Sequence, residues 1–153
     1  KYFRQGKAIG TVPTGSTSLS SSVTSSYPGT ATGAQILSKA QSYLGTPYVY
    51  GGASPSGFDC SGFVYYVYGT FGISVGRTPA AQASAGTQVD KASLQVGDIV
   101  LFAGTGGSGI THAGIYAGNG QFIHSPNSRS TVSYSDLNSG YWSEHFYCGI
   151  RVV

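Results

Sequence analysis

The chain has 153 residues, which is enough for one domain around a single hydrophobic core. Only 8% of the residues are charged, where about a quarter is usual, and the net charge is +3. This excess comes from Lys1, Arg4 and Lys7, because basic and acidic residues are equal in number from Ala34 onward. Nucleic-acid binding requires clustered basic residues that neutralise phosphates, so it is excluded as a main role.

Disorder throughout and a membrane span are both excluded by the apolar content. Hydrophobic residues make up 40% of the chain and aromatic residues 13%, which can offset the entropy of ordering one domain. The longest apolar stretch, Phe63–Tyr68, has six residues, whereas a bilayer requires about 20. Residues 1–10 lack the apolar core of a signal peptide, and we interpret the sequence as a processed or excised fragment.

Residues 1–33 differ in composition from the rest of the chain. Thr11–Gly33 is rich in Ser and Thr, and no charge appears between Ala8 and Ser38. Such a segment has almost nothing to bury, which predicts a flexible linker behind a short basic tail. A linker implies that a further domain was tethered upstream. Residues 34–153 are predicted to form the folded domain.

Three helices are predicted in the first half of this domain. The first ends at Gly45, which suits a helix C-terminus. The second follows Asp59, which suits an N-cap and would place Cys60 in the first turn. A short third helix is predicted at Pro79–Ala85, with Thr78 as its cap. The apolar residues at helical spacing are Ile36, Leu37, Ala40, Tyr43 and Leu44 in the first helix and Phe63, Val64, Val67, Tyr68 and Phe71 in the second.

Strands alone are predicted after Gly97, where short β-rich runs alternate with Gly, Asn, Ser and Pro. Helices therefore come first and an antiparallel sheet second. This order predicts an α+β fold with the helices packed on one side of a small sheet. The predicted strands are Ile99–Phe102, Ala113–Tyr116, Gln121–His124 and Tyr147–Val153.

Cys60 is the candidate nucleophile. A thiol in the first turn of a helix faces unpaired backbone N–H groups and the positive end of the helix dipole, which favour the reactive thiolate. The Asp59 carboxylate acts in the opposite direction, so a cationic partner is expected to contribute to activation. The alternative from position alone is an inert buried cysteine.

His112 and His124 are expected to meet across a hairpin. A two-residue turn that pairs Gly118 with Gln121 would point the two histidines to opposite faces, because side chains alternate along a strand. A three-residue turn at 118–120 would instead place His124 opposite Gly114, on the face of His112. The latter predicts a nucleophile, a base and an orienting group in Cys60, His112 and His124. A zinc site is the alternative, although the two histidines lack the short spacing of structural zinc sites.

At this point the chain resembles the NlpC-type papain-like endopeptidases of bacterial cell walls. The resemblance covers about residues 34–153, and five motifs in the same order make it specific. These motifs are Gly45-Thr46-Pro47-Tyr48-Val49-Tyr50-Gly51-Gly52, Asp59-Cys60-Ser61-Gly62-Phe63-Val64, Gly97-Asp98-Ile99-Val100-Leu101-Phe102, His112-Ala113-Gly114-Ile115-Tyr116 and Phe122-Ile123-His124.

The resemblance implies a papain-like domain whose N-terminal helices pack on an antiparallel sheet of five to six strands. It implies a cysteine peptidase that cleaves peptidoglycan stem peptides between D-γ-glutamate and the diamino acid, meso-diaminopimelate or L-lysine. Cys60 is similar to the nucleophile, His112 to the base and His124 to the third catalytic group. By the same resemblance, Tyr48 helps the Cys60 N–H form the oxyanion hole, and Asp59, Ser61 and Arg77 line the substrate groove.

The remaining chemically notable residues are given structural roles. Asp98 is expected to fix the turn into its strand and His145 to lie at the surface. Tyr141 and Trp142 are expected in the core or the groove wall, and Cys148 as a free, buried thiol.

Two other functions stay open. One is a wall-binding domain without catalysis, and the other is a papain-like hydrolase or acyltransferase on another amide or ester. No cofactor or metal is expected. The protein is expected to be monomeric, bacterial, and secreted or associated with the cell wall.

Overall fold

The computed structural model describes residues 31–105, 107–138 and 140–153. The predicted basic tail and nearly all of the predicted linker lie outside these residues. The folded unit runs from Thr32 to Val153. Within the described part of the chain, no helix is long and apolar enough to cross a bilayer.

Helix α1 (Gly33–Gln41) begins at a capping box in which Thr32 and Gln35 exchange side-chain and backbone hydrogen bonds. Its predicted end at Gly45 is wrong. The helix stops four residues earlier, where the Ser42 hydroxyl donates to a backbone carbonyl of the last turn and competes with the helical pattern. Gly45 ends the turn that follows, with a φ of +91°.

Helices α2 (Cys60–Gly69) and α3 (Pro79–Gln82) begin where their caps predict. The Asp59 carboxylate accepts a hydrogen bond of 2.6 Å from the Gly62 N–H, and the Thr78 hydroxyl accepts one from the first turn of α3. The predicted extension of the third helix to Ala85 is wrong, because the chain after α3 continues in single turns with i to i−3 hydrogen bonds.

A short hairpin precedes α2, and the larger sheet follows α3. The hairpin consists of β1 (Ala53–Ser54) and β2 (Gly57–Phe58). The sheet consists of β3 (Thr87–Val89), β4 (Ile99–Ala103), β5 (Ile110–Gly118), β6 (Gln121–His124), β7 (Ser133–Asp136) and β8 (Phe146–Arg151). It is antiparallel throughout, in the order β3-β8-β4-β5-β6-β7.

The α+β class and the presence of all four predicted strands are confirmed, but the last strand ends at Arg151 and not at Val153 as predicted. The expectation of strands alone after Gly97 is wrong, because helix α4 (Gly140–His145) lies directly before β8. Six residues are too few to show helical periodicity in a sequence. Strands β3 and β7 escape prediction because both are short, with mostly exposed or half-buried side chains at the edges of the sheet.

Helix α2 packs against β5 and thereby places its N-terminus beside the first residues of that strand. Its buried side chains include Phe63, Val64 and Val67, and the Tyr68 hydroxyl donates to the Gly97 carbonyl ahead of β4. Because the helix is held along its length, the position of Cys60 relative to β5 is set by the core.

The β5–β6 hairpin differs from both predicted turns. Gly118 pairs with Gln121, as in the two-residue turn, but Tyr116 pairs with Phe122. Ala117 is therefore an extra residue, a β-bulge, which shifts the register by one. Ile115 then pairs with Ile123, which continues to the Gly114–His124 position required for a shared histidine face. The predicted three-residue turn is wrong, and the bulge produces the same register.

Candidate active site

Cys60 is the first residue of α2 and lies against the first half of β5. Its Sγ is 3.9 Å from the carbonyl oxygen of Thr111, the residue before His112. The side chain is half-buried and both cysteines of the chain are free thiols, as expected for Cys148, which lies buried in β8. The packing of α2 on β5 thus places the nucleophile candidate beside the backbone of the strand that carries the base candidate.

The thiol of Cys60 is protonated at rest. Burial raises its pKa most, and the Asp59 carboxylate raises it further. Backbone N–H groups of Ala113, Ser61 and Cys60 itself lower the pKa, which is the effect expected of a helix N-terminus. Burial outweighs these amides, so the helix terminus alone does not produce a thiolate.

The two histidines form a hydrogen-bonded pair inside the sheet. Nε2 of His112 lies 2.7 Å from Nδ1 of His124, and Nε2 of His124 lies 2.7 Å from the Ser135 hydroxyl on β7. Both rings are buried, with 4% and 0% exposure. This arrangement leaves Nδ1 of His112 as the ring nitrogen not engaged by His124.

Gly114 makes the approach of the two rings possible. It lies on the same face of β5 as His112 and opposite His124. A Cβ at this position would lie 2.8 Å from the Phe122 ring and 3.1 Å from the Cβ of His124. Any side chain here would push β6 away, so glycine is required by the close packing of the histidine pair.

Aromatic rings surround the histidine pair. The Trp142 indole on α4 stacks on His112 at 4.6 Å and 28° and meets His124 edge-on at 4.9 Å and 87°. Phe102 contacts His112 from the neighbouring β4, and Phe122 contacts His124 from the same strand, β6. Burial among these rings lowers the pKa of both histidines, and for His124 the nearby His112 lowers it further. Both imidazoles are therefore neutral at rest.

A charged cluster is formed by Arg77 and the two residues that flank Cys60 in the chain. Arg77 forms a two-pronged ion pair with Asp59, Nη1 to Oδ1 and Nη2 to Oδ2, each at 3.1 Å, and Nη1 also donates to the Ser61 hydroxyl at 3.1 Å. Fully buried Gln82 donates to the carbonyls of Ser61 and Gly76, which ties α3 and the loop of Arg77 to the first turn of α2. The three predicted groove residues are thus in mutual contact beside the thiol.

Tyr48 is half-buried on the segment before β1. Its backbone N–H donates to the carbonyl oxygen of Ser130 at 3.2 Å, and its backbone forms an isolated parallel β-bridge with Phe58. Burial raises the pKa of its hydroxyl most, and electrostatic interactions with Cys60 and Asp59 raise it further. The predicted oxyanion residue therefore lies within electrostatic reach of the thiol.

The sequence did not predict the roles of three site residues. Gln82 connects α3 to α2, Ser135 contacts His124, and Trp142 covers the histidine pair. No local signal identifies the first two, since their partners lie far along the chain. The expectation of a surface position for His145 is wrong, because its ring is half-buried and Nδ1 donates to the Ala103 carbonyl at 2.9 Å.

Asp98 lies away from the site and fixes a turn, as expected. It accepts from the Gln95 N–H at 2.8 Å and forms a two-pronged pair with Arg151. In the part of the chain that the structure describes, no three His, Cys, Asp or Glu side chains are grouped as metal ligands.

Comparison with known proteins assigns these features to a family. The family described as NlpC/P60 matches residues 45–151. The Bacillus subtilis protein named bifunctional muramidase/DL-endopeptidase CwlT is 43% identical over 112 residues, 72% of this chain and 33% of its own. Gamma-DL-glutamyl hydrolase of the same organism is 44% identical over 119 residues, 76% of this chain and 28% of its own. The chain thus spans a third or less of the length of these relatives.

Solved structures show the same fold. The crystal structure of an NlpC/P60 family protein from Bacillus cereus superimposes with a TM-score of 0.75 at 34% identity, over 80% of this chain and 40% of that one. The predicted papain-like fold is confirmed.

Proposed function

The chain belongs to the NlpC/P60 family, and on this premise we propose that it is a cysteine endopeptidase that cleaves peptidoglycan stem peptides between D-γ-glutamate and the diamino acid, meso-diaminopimelate or L-lysine. The observation that supports it most is the position of the Cys60 thiol beside the strand that carries the bonded pair of His112 and His124. The names of the two Bacillus subtilis relatives support the same bond type.

The proposed reaction starts from a neutral thiol and a neutral imidazole. Cys60 Sγ attacks the scissile carbonyl carbon while its proton passes to Nδ1 of His112. The Cys60 N–H and the Tyr48 hydroxyl stabilise the resulting oxyanion. When the C–N bond breaks, Nδ1 returns the proton to the leaving amine. Water then attacks the thioester, gives one proton to His112 and releases the acid, and the proton returns to the thiol.

The charged cluster of Asp59, Ser61 and Arg77 is proposed to bind the substrate. The ion pair leaves the guanidinium and carboxylate partly exposed, with 37% and 16% of the side chains accessible. A free amine of a stem peptide can form an ion pair with the Asp59 carboxylate, which the Arg77 guanidinium holds in position. Recognition of charge is thereby proposed on one side of the thiol and proton transfer on the other.

The test compares Cys60→Ala with Cys148→Ala on purified peptidoglycan, with products identified by mass spectrometry. The first variant is expected to lose at least about a thousandfold in cleavage rate while its circular dichroism stays unchanged, because the nucleophile is removed. The second removes the other thiol, which is buried in β8, and is expected to stay active.

Equal cleavage by the two variants would overturn the proposal. Binding to sacculi by the wild type without product release would favour the wall-binding alternative. Cleavage of peptidoglycan at a bond other than D-γ-glutamyl would refute the proposed specificity while keeping the nucleophile.

The context of the domain is part of the proposal. We infer that residues 34–153 form the catalytic domain and that residues 1–33 tether it to a further domain, since their composition is that of a linker and the matched segment makes up a third or less of each relative. The protein is proposed to act as a monomer, secreted or associated with the bacterial cell wall, where its substrate lies.

A further inference from the structure

Ser135 extends the histidine pair by one more hydrogen bond. It lies on β7, where it pairs with Phe122, while Ser133 is the residue directly opposite His124. Ser135 is therefore the diagonal neighbour of His124 on the same face, and its hydroxyl reaches Nε2 of that ring at 2.7 Å. A continuous line of hydrogen bonds thus joins His112, His124 and Ser135.

Each bond in this line contains one proton, so the directions of the two bonds are linked. In one arrangement His112 donates from Nε2 to Nδ1 of His124, and His124 donates from Nε2 to Ser135. In the reverse arrangement Ser135 donates to His124, His124 donates from Nδ1 to His112, and the His112 proton lies on Nδ1. Only the first arrangement leaves Nδ1 of His112 unprotonated, as a base for the thiol requires.

We propose that Ser135 is a positioning residue that accepts the Nε2–H of His124 and thereby holds both imidazoles in the tautomer in which Nδ1 of His112 can accept the thiol proton. Because His124 is fully buried, an Nε2–H without Ser135 would lack a partner, and the reverse tautomer would gain population. The hydroxyl adds no charge to the neutral pair. The bond directions stay the same when His112 is protonated, so no proton moves beyond this residue during the reaction.

This inference rests on the proposed function, but its first test does not require activity. Imidazole tautomers can be read by nuclear magnetic resonance of the protein with ¹⁵N-labelled histidine. In the wild type, both rings are expected to carry their proton on Nε2. Ser135→Ala is expected to give a mixture in which Nδ1 of both rings is partly protonated. Ser133→Ala, a matched control on the same strand, is expected to keep the wild-type tautomers.

Kinetics provide the second readout. Ser135→Ala is expected to lower kcat about tenfold with KM unchanged, the size of one lost hydrogen bond. Ser135→Thr, which keeps the hydroxyl, is expected to restore both kcat and the single tautomer. Unchanged tautomers in Ser135→Ala would overturn the inference whatever the rate, and a lower kcat in Ser133→Ala of equal size would also overturn it. By contrast, an inactive wild type with the expected tautomers would refute the proposed function alone.

Discussion

The two sides of Cys60 have opposite chemical character. The helix side consists of Asp59, Ser61 and Arg77, a charged and partly exposed cluster at the start of α2. The sheet side consists of His112 and His124, neutral and buried beneath Trp142. The difference between the two sides shows where a chain with so few charged residues places them. Fixed charges remain where a substrate can meet them, and the titrating rings lie where burial keeps them neutral in the resting protein.

The two buried histidines of the sheet side are expected to make the free energy of unfolding depend on pH. This is the largest effect expected to distinguish the sheet side from the helix side. In the unfolded chain a histidine titrates near pH 6.5, whereas burial lowers the pKa of both histidines in the fold. Below pH 6.5 the unfolded state therefore binds two more protons than the folded state does. The contribution of the two neutral histidines to the free energy of unfolding is complete above this pH and is lost as the pH falls. The free energy of unfolding is expected to decrease by about 2.7 kcal/mol per pH unit below about pH 5.5.

Urea denaturation at a series of pH values measures this slope. His124→Asn removes one of the two buried rings and is expected to halve the slope, to about 1.4 kcal/mol per pH unit. A free energy of unfolding that stays constant between pH 6 and 4.5 would show that the sheet side already carries charge in the fold, and the contrast between the two sides would fail.

Much of the site could be predicted because its signals are local. The Asp59 cap places Cys60 in the first turn of α2, and glycine and asparagine between two β-rich runs identify the hairpin of the histidines. Ser135 and Trp142 could not be predicted, because their contacts depend on how β7 and α4 join the sheet. The β-bulge at Ala117 is equally invisible in the sequence, since its neighbours also favour a plain tight turn.

Two arginine–aspartate ion pairs can be compared, one in the proposed site and one that stabilises the fold. Arg151 pairs with Asp98, which is 3% exposed, whereas Arg77 pairs with the more open Asp59. Arg151→Ala leaves a buried carboxylate without its ion-pair partner and is expected to lower the free energy of unfolding more than Arg77→Ala does. Arg77→Ala is expected to change it by about 1 kcal/mol or less, since exposed pairs contribute little.

Activity is expected to respond in the opposite order. Arg77→Ala is expected to lower kcat/KM for stem peptides about tenfold, or 1.4 kcal/mol, because the Asp59 carboxylate loses its support beside the groove. Arg151→Ala is expected to keep wild-type activity per folded molecule at a temperature where it remains folded. Urea denaturation and peptide hydrolysis measure the two effects, and a variant that loses both to the same degree would remove the distinction between the pairs.

The smallest expected effect is the influence of the Asp59 charge on the pKa of the Cys60 thiol. The Asp59 carboxylate raises the pKa of Cys60, although less than burial does. Asp59→Asn removes this charge and keeps a side chain that caps helices equally well. The pKa of the thiol is therefore expected to fall. The pH dependence of iodoacetamide alkylation measures it in a Cys148→Ala background, where Cys60 is the only thiol.

Asp90→Asn is the matched control, because Asp90 also caps a helical turn, the 3₁₀ turn at Lys91–Ser93, where it accepts from the Ser93 N–H at 3.0 Å. It is expected to leave the alkylation midpoint unchanged. If Asp59→Asn also leaves it unchanged, the carboxylate is fully neutralised by Arg77 and does not act on the thiol. The helix side would then contribute to binding alone, and reactivity of Cys60 would depend on burial, its backbone amides and His112.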